Sequence, residues 1–221
     1  MDEMFSSTTE RRGFLGKLAA AAAMTGVSGI LPKSLMGETL PSAVTDAQLE
    51  AWFGKLKGKH RMVFDAPEPN TGMPAIWPRV YLNTMEATYP GEGASAIVIL
   101  RHNGLPLSMQ DNLWAKYKLG EMFEIKDGSA PATRNVYASI TNLPLPGLGI
   151  AELLKSGVLV GACDVALTVY SSAAAQKMNM DPAAVKKEWV AGLLPGVQVV
   201  PSGVLAVGRA QELECKYCFA G

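Results

Sequence analysis

The chain has no net charge and few of the residues that build metal, haem or disulfide frameworks. Its 20 basic and 20 acidic residues cancel, so nothing in the charge balance attracts nucleic acid. Three cysteines are too few for a disulfide framework and leave at least one thiol without an internal partner. Cys215 and Cys218 are followed by no histidine, which excludes c-type haem attachment, and one such pair cannot complete a zinc site. We therefore expect no nucleic-acid partner, cofactor or metal.

The length of 221 residues suits one domain with a tail and is enough to bury a sizeable core. Beyond residue 35 there is no internal repeat or low-complexity tract. We divide the chain into a leader at 1–35, a linker with a short helix at 36–58, and a folded domain at 59–221.

The leader carries export information rather than fold. Residues 9–17 read Thr-Glu-Arg-Arg-Gly-Phe-Leu-Gly-Lys, and residues 18–31 contain no charged side chain. This pattern resembles a twin-arginine (Tat) export signal. An amphipathic cytosolic tail, the alternative, would need charge within that stretch. The resemblance implies export to the periplasmic side of the cytoplasmic membrane.

Cleavage of the leader is left open. The uncharged stretch between Lys17 and Lys33 would span roughly 22 Å as a helix, against about 30 Å for a bilayer core. The flanking lysines can snorkel toward the interface, and no Ala-x-Ala site follows the apolar stretch. Retention as an anchor, with membrane contact through residues 14–35, is therefore one of the two expectations.

In the remainder of the chain, short apolar runs alternate with segments of helical periodicity. This alternation predicts an α/β fold with three layers, in which a mostly parallel sheet of about five strands is covered by helices on both faces. Residues 134–140 fit either a short strand or an extended loop. The predicted strands are 61–64, 95–100, 157–163, 197–200 and 217–219, and the predicted helices are 47–56, 78–89, 109–123, 150–155, 165–175, 182–193 and 204–214.

Cys163 is the first candidate for chemistry. It ends the apolar run 157–163, and Asp164 follows as the expected N-cap of the next helix. In open α/β sheets the carboxyl ends of the strands form the ligand-binding edge. The positive end of the next helix favours thiolate over thiol. The competing interpretation is a small, buried apolar residue, because free cysteine is among the most buried residue types.

Other polar residues are expected at the same edge. Arg101 and His102 directly follow the strand at 95–100, so they are candidates to assist Cys163, or else form an exposed loop pair. Ser202 is the expected N-cap of the helix that starts near Gly203. With Asp164, these two residues form a candidate anion- or ligand-binding set.

Cys215 and Cys218 are a disulfide candidate, because an exported chain meets an oxidising compartment. A catalytic dithiol is disfavoured, since a thioredoxin-like motif opens a helix whereas this pair follows one. If the last strand is parallel to the central one, Cys215 enters at the edge opposite Cys163, about 13 Å away. We do not expect those two to be bridged.

The segments 157–163, 194–204 and 209–211 and the short terminal strand resemble the DsrE/DsrF-like proteins of the YchN-type fold. An exported branch of that family is similar in Leu100-Arg101-His102, in the helix 114–120 and in Cys215 to Cys218. The resemblance covers roughly residues 59–221. It implies a homo-oligomer that carries sulfur as a persulfide on the cysteine matching Cys163, although the better-understood relatives are cytoplasmic.

Two main hypotheses follow. The first is an exported sulfur-relay or sulfur-binding protein that uses Cys163 as carrier, assisted by Arg101 and His102. The alternative is a non-catalytic accessory subunit, anchored by its leader to a membrane protein complex. A third hypothesis is a protein that binds a small ligand or an anion at Ser202 and Gly203.

Overall fold

A computed structural model of the chain describes residues 46–221. The leader at 1–35 and the first part of the linker lie outside the described residues. The helices are α1 (Asp46–Phe53), α2 (Met73–Thr88), α3 (Asp111–Tyr117), α4 (Leu119–Met122), α5 (Ile150–Lys155), α6 (Asp164–Met178), α7 (Pro182–Ala191) and α8 (Gly203–Glu212). The strands are β1 (His60–Ala66), β2 (Ala94–Leu100), β3 (Lys126–Asp127), β4 (Ala130–Pro131), β5 (Leu159–Cys163), β6 (Gln198–Val200) and β7 (Lys216–Phe219).

Five strands form one sheet in the order β6-β5-β2-β1-β7. All neighbouring pairs in it are parallel, so all five carboxyl ends meet at one edge. The predicted α/β class and parallel five-stranded sheet are confirmed. β3 and β4 form a separate two-residue antiparallel hairpin, which the sequence did not indicate.

Helices cover both faces of this sheet, each over its own apolar cluster. One face, carrying Phe64, Val98 and Val160, packs against buried residues of α2 to α7. The other face, carrying Val63 and Ile97, packs against α1 and α8. Because strand side chains alternate between faces, the near-continuous apolar runs of β2 and β5 are those expected of strands buried on both sides.

Two helix predictions were wrong at their boundaries. α2 begins at Met73 rather than Pro78, which lies inside it. Pro74 occupies the first turn, where a missing N–H costs nothing, and Pro78 forfeits only the bond to the carbonyl one turn earlier. The helix expected over 109–123 is divided into α3 and α4, because Lys118 adopts a left-handed conformation with φ of 51°.

Other boundaries agree with the expectation or shift by a few residues. α5 and the carboxyl end of β5 at Cys163 fall as predicted. β5 begins only at Leu159, since Gly157 has a φ of 88° and forms a turn. Residues 134–140 form turns that end in an isolated bridge from Ile140 to Leu148, which is the loop alternative rather than a strand.

Candidate functional site

Cys163 is the last residue of β5 and the N-cap of α6. Its Sγ accepts a hydrogen bond from the backbone N–H of Ala166 at 3.4 Å. The residue is 6% exposed, so Cys163 is almost fully buried at the carboxyl edge. An amide donor and the positive end of a fifteen-residue helix both stabilise negative charge on this sulfur.

Asp164 does not cap α6, and that expectation was wrong. The helix begins one residue earlier than expected, so the sulfur of Cys163 receives the first-turn amide and Asp164 becomes the first helical residue. The Asp164 carboxylate is buried and forms an ion pair with Lys186 of α7, with N–O distances of 2.8 and 3.0 Å. Asp164 is therefore occupied by a cation of the chain itself.

Arg101 lies at the neighbouring strand end. The register of β2 with β5 pairs Leu100 with Ala162, so the next residues, Arg101 and Cys163, stand side by side at the edge. The Arg101 guanidinium donates to both carboxylate oxygens of Asp65, at 2.7 and 2.9 Å. A bidentate pair of this kind fixes direction as well as charge.

Asp65 also binds Tyr217. Its Oδ2 also accepts from the hydroxyl of Tyr217 at 3.0 Å, and its side chain is only 5% exposed. The three residues come from β1, the end of β2 and β7. They form what we call the Asp65 cluster, consisting of Asp65, Arg101 and Tyr217.

The pKa of Arg101 reports this environment. It lies above the ordinary arginine value, mainly because the hydrogen bonds to Asp65 stabilise the charged form. Partial burial opposes the rise, while the charge of Asp65, with further electrostatic contributions from Tyr217 and Cys163, adds to it. The contribution of Cys163 agrees with the strand register, which makes the guanidinium an electrostatic neighbour of that thiol.

Ser202 and Gly203 contribute to the local structure of α8. Ser202 is the N-cap, as predicted, since its hydroxyl accepts from the backbone N–H of Leu205 at 3.1 Å. A Cβ placed on Gly203 would lie 2.6 Å from the Cβ of Arg101. Gly203 therefore lets the arginine side chain cross the start of α8, and the guanidinium stem occupies part of the space offered to an anion there.

His102 points to a different group of residues. Its Nδ1 lies 3.1 Å from a carboxylate oxygen of Glu68, and its side chain is 59% exposed. Asn103 donates to the same carboxylate and accepts from the hydroxyl of Tyr170 on α6 at 2.7 Å. The exposed-loop alternative thus describes His102 better than a contact with Cys163.

The structure does not bring Cys215 and Cys218 together. The two residues are three positions apart in extended chain, so their side chains face opposite sides of the sheet. Cys215 packs in the apolar cluster under α1 and α8, and Cys218 packs against the apolar cluster on the other face. Both thiols are free, and burial raises the pKa of each. Cys215 lies before β7, at the amino edge opposite Cys163, and Cys163 is also free.

Sequence reasoning missed Asp65, Tyr217 and Lys186. The predicted first strand ends at residue 64, just before Asp65, whereas β1 continues to Ala66. A carboxylate directly after an apolar strand segment was the available signal. Tyr217 and Lys186 carried no local signal, because the folded topology alone brings β7 beside β1 and α7 beside α6.

Across residues 46–221, His, Cys, Asp and Glu side chains nowhere gather in threes that would hold a metal ion. None of the helices in this part of the chain has the length and apolar character needed to cross a membrane.

The fold and the site define an α/β protein with a cysteine at the carboxyl edge of a parallel sheet. No protein-family model matches the chain, and no curated protein matches it. Among solved structures that do match is a protein of unknown function from Methanobacterium thermoautotrophicum, 19% identical, with a TM-score of 0.39. The match covers 73% of this chain and 99% of that chain. A likeness at this level carries no argument about function.

Proposed function

We propose that this chain is an exported DsrE-like protein that binds or relays sulfane sulfur on Cys163. The observation that carries the proposal is the position of the Cys163 sulfur. It accepts an amide N–H at the start of α6, and Cys163 follows the strand residue paired with Leu100, so its backbone lies next to that of Arg101 at the carboxyl edge. The amide hydrogen bond stabilises the thiolate that must attack a sulfane sulfur, and then the persulfide anion that results.

Cys163 is chosen over Cys215 and Cys218 by its place at the start of α6, where its sulfur accepts an amide N–H, rather than by exposure, because Cys163 is itself buried. The pKa values of Cys215 and Cys218 are raised, with burial the first cause in each case. Raised values disfavour the thiolate, which is the reactive form. Within this proposal Arg101 assists the sulfur, whereas His102, held by Glu68, has no direct part.

The test is persulfide formation on the purified full chain. Treatment with inorganic disulfide, followed by peptide-resolved mass spectrometry, is expected to add one sulfur atom to the peptide containing Cys163. Cys163→Ser is the matched control, because a serine hydroxyl preserves the N-cap acceptor and removes the sulfur. A wild-type chain whose Cys163 gains no sulfur under these conditions contradicts the proposal.

A second candidate is a non-catalytic accessory subunit of a membrane complex, and the low exposure of the Cys163 sulfur favours it. In this account Cys163 is an N-cap with no chemistry. Gentle purification from membranes distinguishes the two, because an accessory subunit is expected to retain stoichiometric partners and to function equally well as Cys163→Ser.

We further propose periplasmic exposure and self-association. Both rest on the Tat-like leader and the family resemblance, which concern residues 9–31 and roughly 59–221 respectively. The assembly is either a homo-oligomer or a subunit of a membrane complex held by residues 14–35. Sedimentation of the detergent-extracted full chain, together with its intact mass, measures the oligomeric state and shows whether the leader remains.

A further inference from the structure

We propose that the Cys163 site takes sulfur from a small donor of low charge, such as hydrogen disulfide, and discriminates against a dianion such as thiosulfate. This inference rests on the proposed function and names its substrate class. Arg101 lies next to Cys163 in the strand register, and Lys186 binds the residue that follows Cys163. Each of these two cations is paired with a buried carboxylate of the chain, so neither offers much attraction to a negatively charged donor.

The first compensated pair is Arg101 with Asp65. Both donor distances are below 3 Å, and the carboxylate is buried, so water does little to screen it. Tyr217 adds a third hydrogen bond to the same carboxylate, which keeps it in place. An incoming anion therefore meets a guanidinium whose charge and hydrogen-bonding face are already engaged.

The second compensated pair is Lys186 with Asp164. Asp164 is covalently adjacent to Cys163, and its carboxylate is 6% exposed against 30% for the lysine side chain. Lys186, like Arg101, is therefore already paired with a carboxylate of the chain and offers little attraction to an anionic donor.

The size of the sulfur donor is restricted by the burial of Cys163. Cys163 as a residue is 6% exposed, so a two-sulfur molecule reaches it more readily than a cysteine presented by a second folded protein. In the transfer, the Cys163 thiolate attacks one sulfur of hydrogen disulfide, and the donor's S–S bond breaks. A new S–S bond forms on Cys163, and hydrosulfide leaves with the electron pair.

The charge at the site is measured with two thiol reagents of similar size, hydroxyethyl methanethiosulfonate, which is neutral, and sulfonatoethyl methanethiosulfonate, which is anionic. Both react by thiolate attack on sulfur. The rate of modification of Cys163 by each reagent is measured on its peptide from the full chain, and the anionic rate is divided by the neutral rate. This ratio is then divided by the same ratio for the urea-unfolded chain. We expect a normalised ratio at or below one for the wild type.

Substitutions at the first ion pair make the test specific. Asp65→Asn leaves Arg101 uncompensated and is expected to raise the ratio about fivefold; Arg101→Gln is expected to lower it by a similar factor. The Asp65→Asn, Arg101→Gln double variant removes both charges and is expected to restore the wild-type ratio. Asp127→Asn, in the exposed pair with Arg134, changes the total charge equally and is expected to have no effect.

The outcomes separate this inference from the proposed function. A wild-type ratio well above one, or equal ratios in the wild type, Asp65→Asn and Arg101→Gln, overturns the charge argument even if inorganic disulfide forms a persulfide on Cys163. Failure of any donor to form that persulfide, although the neutral reagent labels Cys163, overturns the proposed function and the donor class with it. Labelling of Cys163 only in the unfolded chain overturns both proposals.

Discussion

Asp65 determines where Arg101 points. It is a carboxylate with 5% side-chain exposure that accepts three hydrogen bonds, two from Arg101 and one from Tyr217. A buried carboxylate needs such partners, because desolvation of an unpaired charge is costly. The geometry of the Cys163 neighbourhood therefore depends on residues from β1 and β7 as much as on the cysteine.

Gly203→Ala is expected to disturb this arrangement. The added Cβ would lie 2.6 Å from the Arg101 Cβ and 2.8 Å from its Cδ, so the arginine stem or the start of α8 must shift. Overpacking of this kind costs about 1–3 kcal/mol, which exceeds the gain in helix propensity. Urea unfolding of the variant measures the loss.

Gly208→Ala is the matched control in the same helix. A Cβ on Gly208 would have no neighbour within 4 Å, so only helix propensity changes, and we expect stabilisation of about 0.5–1 kcal/mol. Equal effects at Gly203 and Gly208 would show that the start of α8 is not packed against Arg101.

Tyr170 provides a pH-dependent prediction. Burial, with the charge of Glu68, raises its pKa to about 12, above the usual value near 10. Between these values the unfolded chain has lost a proton that the folded chain keeps, so the free energy of unfolding falls as pH rises. Tyr170→Phe is expected to make the fall shallower in this window, as measured by urea unfolding at several pH values. Parallel wild-type and variant curves would contradict the raised pKa.

The candidate site was only partly predictable from sequence. Cys163 and Arg101 follow apolar runs directly, so their place at the carboxyl edge could be inferred from strand periodicity. Asp65 and Lys186 complete the ion pairs through contacts 36 and 22 residues distant in sequence. Local patterns contain no information about such partners. The orientation of His102 toward Glu68 was equally inaccessible.

At the scale of elements, α1 is attached to the sheet mainly by apolar contact. Trp52 and Phe53 are buried beneath it, and the Trp52 ring would lie 3.1 Å from a Cβ placed on Gly161 of β5. Trp52→Ala is expected to lower the free energy of unfolding by about 3–5 kcal/mol. Denaturant unfolding followed by circular dichroism measures it.

Glu50→Gln provides the comparison on the same helix. It removes the charge of an exposed carboxylate that binds Arg209 of α8 through two hydrogen bonds. Exposed ion pairs contribute little, so we expect almost no change in stability. A larger loss for Glu50→Gln than for Trp52→Ala would mean that charge, rather than burial, holds α1.

Strands and helices with a single clear hydrophobic period were predicted well. Elements whose boundaries depend on contacts with distant parts of the chain were not. β2, β5, β7 and α5 follow apolar or amphipathic patterns that end at polar or glycine residues. The division between α3 and α4 lies instead at Lys118, which adopts a left-handed conformation, and the helical period of the surrounding sequence does not mark that residue.

At the scale of the whole molecule, the proposed export is tested at the leader. Replacing Arg11 and Arg12 together by lysine preserves charge and removes the twin-arginine pair. We expect the full-length variant to accumulate in the cytoplasm while the wild type reaches the periplasmic side, as measured by fractionation and immunoblotting. Lys17→Arg is the control and is expected to be exported normally. Unchanged export of the double variant would contradict a Tat route.

The most direct measurement of the central claim is the sulfur content of Cys163 in the native protein. The chain is isolated without reductant and under anaerobic conditions from its own cells, alkylated, and analysed by peptide-resolved mass spectrometry. The account predicts a fraction of Cys163 peptides carrying one additional sulfur atom that reductant removes, and none on Cys215 or Cys218. Cys163 peptides without that sulfur, from a chain that is otherwise intact, would contradict it.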